Sequence, residues 1–259
     1  MVAIVTGGAG AGIGQGITRV LCQRKWSLLI VDRDQQRMNA LKNELNESEN
    51  QVETLVDDIT LPQTAESAVN KALQQFGRLD GLVNNAGIGL CKPLGDVTDE
   101  EFDGLLDADL RSAFRFTRAA LPALIKSKGA IVSVGSVHAT ASIRGYAPYA
   151  AAKAGLQALM RGTAIDYGPL GVRANTVNPG LVMSPQSEAL IRSFHPDPHQ
   201  WVTDYTSRKQ LLPTLVSAEQ VGETIAWLLS PQACSITGQA ITIDGGTSVM
   251  LYERESLLP

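Results

Sequence analysis

The sequence has few cysteines, few aromatic residues and no excess of basic residues. Its 259 residues include three cysteines and 5% aromatic residues, and its formal net charge is −4. An odd number of scattered cysteines argues against a disulfide framework and indicates reduced thiols. The acidic balance provides no basic surface for nucleic acid or for anionic lipid. We therefore expect neither nucleic acid nor membrane as a partner.

The sequence also lacks segments that would direct the chain to export, anchor it in a membrane or bind a metal. No apolar run approaches the roughly 20 residues that span a bilayer, and the apolar stretch at 2–5 follows Met1 with no basic leader. No group of histidines and cysteines has the spacing of metal ligands. These absences predict a cytoplasmic protein with no metal site. The length fits one domain, placed over 1–259.

Glycine, by contrast, is plentiful, and a glycine-rich turn follows the first predicted strand. Residues 2–5 form a short apolar run, Thr6-Gly-Gly-Ala-Gly-Ala-Gly-Ile-Gly14 follows, and Asp32 comes 18 positions after Gly14, behind a second apolar run. Strand, glycine turn, helix, strand and acid are the order of a dinucleotide-binding unit. Glycines let the backbone approach a pyrophosphate, amides at the helix start bind it, and the acid binds the adenosine ribose. A plain tight turn is the alternative for the glycines alone.

Strand and helix patterns alternate along the whole chain. Five further strands are predicted at 28–31, 52–56, 130–134, 172–177 and 240–243, and a sixth begins at Gly81 and runs into a turn that ends at Gly87. The helices between them include one over roughly 99–126, with Pro122 as a kink or break, and one from near Tyr149. This alternation predicts an α/β, doubly wound Rossmann-type fold with a seven-stranded parallel sheet and helices on both faces.

The segment 183–213 interrupts the alternation, because it is polar, irregular and rich in proline and histidine. It follows the carboxyl end of a strand, where open α/β sheets bind ligands. We interpret it as a substrate lid, with an inert insert as the alternative.

Ser136, Tyr149 and Lys153 form the candidate chemical centre. Tyr149 and Lys153 stand four positions apart on a predicted helix and therefore share one face. An ammonium favours the phenolate of a neighbouring tyrosine, which fits Tyr149 for general acid–base work. Ser136 ends an apolar strand, where its hydroxyl could hold a substrate oxygen.

Together these motifs resemble the short-chain dehydrogenase/reductase family over nearly the whole chain. The matching residues are Thr6-Gly7 with Gly12-Ile-Gly14, Asp58, Asn84-Asn-Ala-Gly87, Ser136, Tyr149-x-x-x-Lys153, Pro179-Gly180 and Asp244-Gly-Gly. The resemblance implies interconversion of an alcohol and a carbonyl with NAD(P). It assigns Tyr149 as the acid/base, Lys153 as its activator and a ligand of the nicotinamide ribose, and Ser136 as the holder of the substrate oxygen.

The resemblance also implies where the cofactor lies and how subunits associate. The implied cofactor contacts, besides Tyr149 and Lys153, are Gly8, Gly10, Gly12, Ile13, Gly14, Asp32, Arg33, Asp58, Ile59, Asn85, Ala86, Gly87, Pro179, Gly180, Val182 and Ser184. Asp32 favours NAD over NADP, because its charge opposes a 2′-phosphate, although Arg33 beside it could pair with one. The long helix and the Tyr149 helix would pair subunits into a homotetramer or homodimer.

Two features depart from the family pattern. The glycine turn is one residue longer than usual, which leaves open whether Gly7, Gly8 or Gly10 meets phosphate. Asp109 stands where the family has a catalytic asparagine, so it joins Ser136, Tyr149 and Lys153 as a candidate catalytic residue.

The substrate is the least determined part of the prediction. Ser136, His138 and Tyr149 are the candidate substrate contacts, and a polar small molecule such as a hydroxy acid, polyol or sugar is favoured over a steroid or acyl chain. The competing function is a regulatory NAD(P)-binding protein of the same fold without catalysis. Such a protein has no use for an acid/base, whereas this sequence keeps Ser136, Tyr149 and Lys153.

Overall fold

The computed structural model describes residues 1–45 and 51–250. The stretches 46–50 and 251–259 of the predicted 1–259 domain therefore lie outside the described residues.

Seven parallel strands form one sheet in the order β3-β2-β1-β4-β5-β6-β7. The short apolar runs become strands because both faces of a parallel sheet are covered, so that all five residues of β1 and of β5 are buried. The strands are β1 Val2–Thr6, β2 Ser27–Asp32, β3 Val52–Val56, β4 Gly81–Asn84, β5 Ala130–Val134, β6 Arg173–Pro179 and β7 Ala240–Ile243. The predicted doubly wound, seven-stranded fold is confirmed.

Helices cover the two faces of the sheet and bury two separate apolar clusters. One cluster includes Ile17 and Ile225 of the helix pair on the first face, and the other includes Phe116 and Met160 on the second. The α-helices in the described residues are α1 Ile13–Gln23, α2 Gln35–Leu45, α3 Thr64–Phe76, α4 Asp99–Leu106, α5 Ser112–Ser127, α6 Ala147–Tyr167, α7 Pro185–Arg192, α8 Pro198–Lys209 and α9 Ala218–Leu229.

The long helix predicted at 99–126 is interrupted, but not at Pro122. A π-helical segment, Asp107–Arg111, separates α4 from α5, and Pro122 lies inside α5 without ending it. A π-helical turn holds one more residue than an α-helical turn, so it rotates the side chains that follow relative to those before. The segment carries Asp109 and buries it.

The segment 183–213 is not irregular, which corrects the sequence-based expectation. It contains α7 and α8, and its prolines mark helix starts: Pro185 and Pro198 lie in the first turns of the two helices. Ser184 caps α7, and the Asp197 carboxylate accepts the backbone N–H groups of His199 and Gln200 to cap α8. Polar caps and prolines thus gave the appearance of a loop.

The order of the strands reverses between β1 and β4, which are neighbours in the sheet although β2 and β3 follow β1 in the chain. In open α/β sheets this reversal leaves a crevice at the carboxyl ends of the strands, where ligands bind. The turns that follow β1 and β4 carry the predicted glycine and Asn85 motifs.

Candidate active site

The glycine turn between β1 and α1 is built so that backbone packs on backbone. Gly7 and Gly12 have positive φ angles of 62° and 124°, and Gly10 N–H donates to the Gly7 carbonyl at 3.1 Å. Gly8 packs against Thr18, whose hydroxyl donates to the Gly8 carbonyl at 2.9 Å. The turn therefore presents bare backbone at the start of α1, as an anion requires.

The turn after β4 is tied directly to the turn after β1. The Asn85 side-chain amide donates to the carbonyls of Thr6 and Gly7, both at 3.0 Å. The Thr6 hydroxyl accepts the N–H groups of Asn85 and Ala86 at 3.0 and 3.1 Å. Asn85 and Ala86 thus line the crevice, but the amide of Asn85 serves to fix the two turns together.

Asp32 lies at the end of β2 beside the glycine turn. Its Oδ2 accepts the Ala9 N–H at 3.2 Å, and its Oδ1 accepts the Asp34 N–H at 3.1 Å. Arg33 is exposed and lies within electrostatic range of Asp58. The acid predicted to meet the adenosine ribose is therefore at the expected strand end.

Asp58 and Ile59, beyond β3, are turned partly toward the protein. The backbone N–H and hydroxyl of Thr60 donate to the Asp58 carboxylate, both at 2.8 Å, and these bonds hold the pKa of Asp58 below its usual value. Ile59 packs against the apolar cluster under α3 and α5. Both residues lie at the same edge of the sheet as Asp32.

The residues after β6 close the crevice from the other side. Gly180 lies against Asp244, and a Cβ there would be 2.8 Å from the Asp244 Cβ. Val182 is buried and bridges Val216, while Ser184 begins α7. A Cβ on Gly12 would lie 3.0 Å from the Ser184 Cβ, so the extended glycine turn touches the start of the segment 183–213.

β5 and α6 bring the three predicted chemical groups to one place. Ser136, two residues after the end of β5, is buried and accepts the His138 N–H at 3.2 Å. Helix α6 begins at Ala147, two residues before Tyr149, with Pro148 in its first turn. Lys153 Nζ lies 5.5 Å from the Tyr149 ring centroid and donates to the Val134 carbonyl at 3.1 Å.

Asp109 reaches this centre from the π-helical segment. Its Oδ2 lies 3.0 Å from Lys153 Nζ, and its Oδ1 accepts the Ile88 N–H at 2.7 Å. Asp109 therefore contacts both Lys153 and the backbone of the turn after β4.

His138 belongs to an aromatic cluster around Tyr149. Its ring stacks on Tyr146 at 4.4 Å between centroids and meets Tyr149 edge-on at 5.7 Å. His138 Nδ1 also lies 2.9 Å from the Ser142 hydroxyl. Burial lowers the pKa of His138, so its ring is neutral at neutral pH.

Comparison with known proteins shows which family and which relatives this chain resembles. The profile of the family described as Enoyl-(Acyl carrier protein) reductase matches residues 8–248. The chain is 32% identical to Oxidoreductase UcpA of Salmonella typhimurium, with 95% of this chain and 94% of that protein covered. It is 30% identical to cyclopentanol dehydrogenase of Comamonas sp. and 31% identical to trans-4-hydroxycyclohexanecarboxylate dehydrogenase of Sinomonas cyclohexanicum. These alignments cover 95% of this chain in both cases, and 96% and 92% of the relatives.

The chain belongs to the short-chain dehydrogenase/reductase family. It is an oxidoreductase of that family, whose members bind NAD(P) cofactors. Among solved structures, the crystal structure of a variant of the actinorhodin polyketide ketoreductase with NADPH is similar, with a TM-score of 0.90 and 25% identity over 96% of this chain and 97% of that one.

This short-chain dehydrogenase/reductase has site residues that the sequence did not single out. Tyr146 lies three positions before Tyr149, one helical turn away, and it contacts the thiol of Cys91. Burial, together with Cys91, raises the pKa of Tyr146 to about 12. The spacing of Tyr146 from Tyr149 was a readable signal, whereas the approach of Cys91 depends on the tertiary fold.

Two basic residues of the segment 183–213, Arg192 and His195, make local contacts. Arg192 pairs with Glu188 in α7, and His195 Nδ1 lies 2.7 Å from the Asp197 carbonyl. Within the described ranges there is no cluster of potential metal ligands. None of the helices there combines the length and apolar character that crossing a bilayer requires.

Proposed function

We propose that this protein interconverts a secondary alcohol and its ketone with NAD, using Tyr149 as the general acid/base. The observation that carries the proposal is the convergence of Ser136, Tyr149 and Lys153 between β5 and α6. Lys153 is buried and held at 3.1 Å by the Val134 carbonyl, so its charge is fixed beside the Tyr149 ring. A fixed buried charge acts strongly on its neighbour because little water screens it.

The residues of the glycine turn fit the pyrophosphate of a dinucleotide. Gly14 has no room for a Cβ, and the turn before α1 exposes backbone amides to the crevice. In the proposal the pyrophosphate meets Gly8, Gly10, Gly12, Ile13 and Gly14, and Ser184 joins them from across the crevice. The bound cofactor supplies a hydride donor or acceptor.

The remaining contacts would orient the two ends of the cofactor. Asp32 would bind the adenosine ribose, with Arg33, Asp58 and Ile59 near the adenine. Lys153, Asn85, Ala86 and Gly87 would lie along the nicotinamide half, with Pro179, Gly180 and Val182 opposite. The acidic side chain of Asp32 supports NAD over NADP, because a 2′-phosphate beside it would place like charges together. The similar ketoreductase structure contains NADPH, so the preference of this protein for NAD over NADP has to be measured directly.

In the proposed chemistry the protein holds the substrate oxygen and moves one proton. The Ser136 hydroxyl donates to that oxygen, and Tyr149 takes the alcohol proton in oxidation or returns it in reduction. Lys153 stabilises the phenolate that oxidation requires. Each group is placed by the fold before substrate arrives, which is the main source of electrostatic catalysis.

We propose a cyclic hydroxy acid or a similar small polar cyclic alcohol as the substrate. His138 and Tyr146 form an aromatic wall next to Tyr149, and apolar ring faces pack well on aromatic ones. Two relatives named above act on a cyclopentanol and on a hydroxycyclohexanecarboxylate. A linear polyol or sugar is the second candidate, because the Ser142 hydroxyl beside His138 favours hydroxyl groups.

The subunit arrangement, domain and location complete the proposal. Leu106, Leu110 and Phe114 line an apolar depression with Gly155 and Leu159 of α6. Since Phe114 is 43% exposed there, this face is where a second subunit would pack to form a homodimer or homotetramer.

We treat 1–259 as one domain with α7 and α8 as its lid. The three cysteines, all in the described part of the chain, form no disulfide, which agrees with a cytoplasmic location.

The test compares wild type with Tyr149→Phe on a panel of cyclopentanol, cyclohexanol, hydroxycyclohexanecarboxylates, polyols and sugars. NADH formation is followed by absorbance and NADH binding by fluorescence. The variant should lose about 10²–10⁴-fold in kcat while binding NADH normally. The regulatory alternative predicts tight NADH binding and no turnover by wild type with any member of the panel. A phenylalanine variant with near-normal kcat contradicts the assignment of Tyr149.

A further inference from the structure

The ion pair between Lys153 and Asp109 is almost fully shielded from water. The two side chains are 6% and 0% exposed, and Nζ lies 3.0 Å from Oδ2. An unpaired buried charge is strongly unfavourable, so each ion depends on the other. A full negative charge thus stands beside the ammonium that the proposed function assigns to the Tyr149 phenolate.

The surrounding backbone makes room for this carboxylate and fixes its direction. A Cβ on Gly87 would lie only 3.0 Å from Asp109 Oδ2 and 3.1 Å from Oδ1. The Ile88 N–H donates to Oδ1 at 2.7 Å, which leaves Oδ2 facing Lys153. The π-helical segment supplies the rotation that brings Asp109 inward, while Asp107 of the same segment pairs with Arg111 near the surface.

The charge state of Lys153 follows from two opposing effects. Burial lowers the pKa of Lys153, but the charge of Asp109 and the interaction with Tyr149 outweigh burial and leave it raised. The ammonium therefore stays protonated at physiological pH. Because the Asp109 carboxylate lies 3.0 Å from Nζ, it partly offsets the charge of the ammonium at Tyr149.

The other titratable groups next to Tyr149 are neutral in this range or paired elsewhere. Burial lowers the pKa of His138 and raises that of Tyr146 to about 12. Cys91 contacts Tyr146. On the neighbouring loop and α4, Lys92 pairs with Glu101 at 2.9 Å. Lys153 and Asp109 are thus the charges that act on Tyr149.

We infer that Asp109 is a positioning residue that holds Lys153 in place and partly cancels its field at Tyr149. Tyr149 then keeps its proton to higher pH than it would beside an uncompensated ammonium. A protonated Tyr149 is the proton donor that carbonyl reduction needs, whereas oxidation needs the phenolate. The site is therefore better prepared to begin carbonyl reduction than it would be with an asparagine at position 109. The inference rests on the proposed function only for this last step.

The test replaces Asp109 by asparagine, with Asp107→Asn as the matched control in the same helical segment. Asparagine keeps an oxygen for the Ile88 N–H and removes the charge. Ionisation of Tyr149 is measured without substrate from tyrosinate absorbance against pH, by subtracting the Tyr149→Phe version of each protein. The rising limb of the alcohol-oxidation pH–rate profile is measured in parallel.

In Asp109→Asn both midpoints should move to lower pH by about one unit, and in Asp107→Asn neither should move. Asp109→Ser, a second neutral variant, should shift them in the same direction if the asparagine variant folds poorly. Unchanged midpoints, or midpoints at higher pH, in folded protein overturn the inference. If no alcohol is oxidised, the proposed function fails, while the absorbance titration still decides the role of Asp109.

Discussion

Gly14 packs so closely on Gly7 that a Cβ atom on Gly14 would lie 2.0 Å from the carbonyl oxygen of Gly7. A methyl group there would also meet the Asn85 amide at 3.1 Å. Because Asn85 ties the turn after β1 to the turn after β4, the contact couples the first turn of α1 to both sides of the crevice.

Replacement of Gly14 by alanine should therefore open the glycine turn. We expect a loss of about 1–3 kcal/mol in the free energy of unfolding, as for other overpacking changes, and NADH binding at least about tenfold weaker. Gly89→Ala is the control, because a Cβ on Gly89 meets nothing within 4 Å. Urea denaturation and NADH fluorescence measure the two effects. Unchanged NADH affinity in Gly14→Ala would show that the turn does not cradle phosphate.

Asp32 should govern the choice between NAD and NADP through its charge. Asp32→Asn keeps an acceptor oxygen for the Ala9 or Asp34 N–H but removes the charge that opposes a 2′-phosphate. The ratio of kcat/KM for NADP to that for NAD should rise at least about tenfold, which corresponds to about 1.4 kcal/mol. Asp34→Asn, whose carboxylate pairs with Arg37 instead, should leave the ratio near the wild-type value. A ratio that already favours NADP in wild type contradicts the interpretation of Asp32.

The strands and the position of the site could be predicted because they depend on short local patterns. Apolar runs such as 130–134 become strands wherever both faces are covered, and residues behind each strand, such as Ser136, then lie at the crevice. By contrast, the spacing of apolar residues along a helix hardly changes in the sequence when one turn contains an added residue. The pattern over 99–126 could therefore not reveal the π-helical segment, although that segment decides where Asp109 points.

Contacts between distant parts of the chain could not be predicted in the same way. Cys91, His138 and Tyr146 meet only after β4, β5 and α6 are assembled. The helices α7 and α8 of the segment 183–213 could not be predicted for a different reason. Prolines and capping residues such as Asp197 are signals of helix starts as well as of loops.

Trp201 should contribute to substrate binding through the shape of the lid. Its ring stacks on Tyr205 at 5.2 Å and meets Phe194, which follows α7, edge-on at 5.6 Å. Trp201→Ala removes both contacts, each worth about 1 kcal/mol, so substrate KM should rise about fivefold while NADH affinity stays constant. Trp227→Ala, on the exposed face of α9, is the control. Equal KM values for all substrates in wild type and Trp201→Ala would leave α7 and α8 as an insert without a binding role.

His138 should make the folded protein less stable in mild acid. Since burial lowers the pKa of His138 in the folded state, the neutral ring is favoured there. The stability that follows from this is complete above the ordinary value of 6.5 and is lost as the pH falls through the lower folded pKa.

His138→Phe keeps a ring on Tyr146 and does not titrate, although it loses the contact with Ser142. Above pH 6.5 the variant should be no more stable than wild type. As the pH falls below 6.5, the free energy of unfolding of the variant should rise relative to that of wild type. Urea denaturation at a series of pH values measures the difference. A difference between His138→Phe and wild type that stays constant across the series would mean that the ring titrates as it does in the unfolded chain, and the stack on Tyr146 would then be open to water.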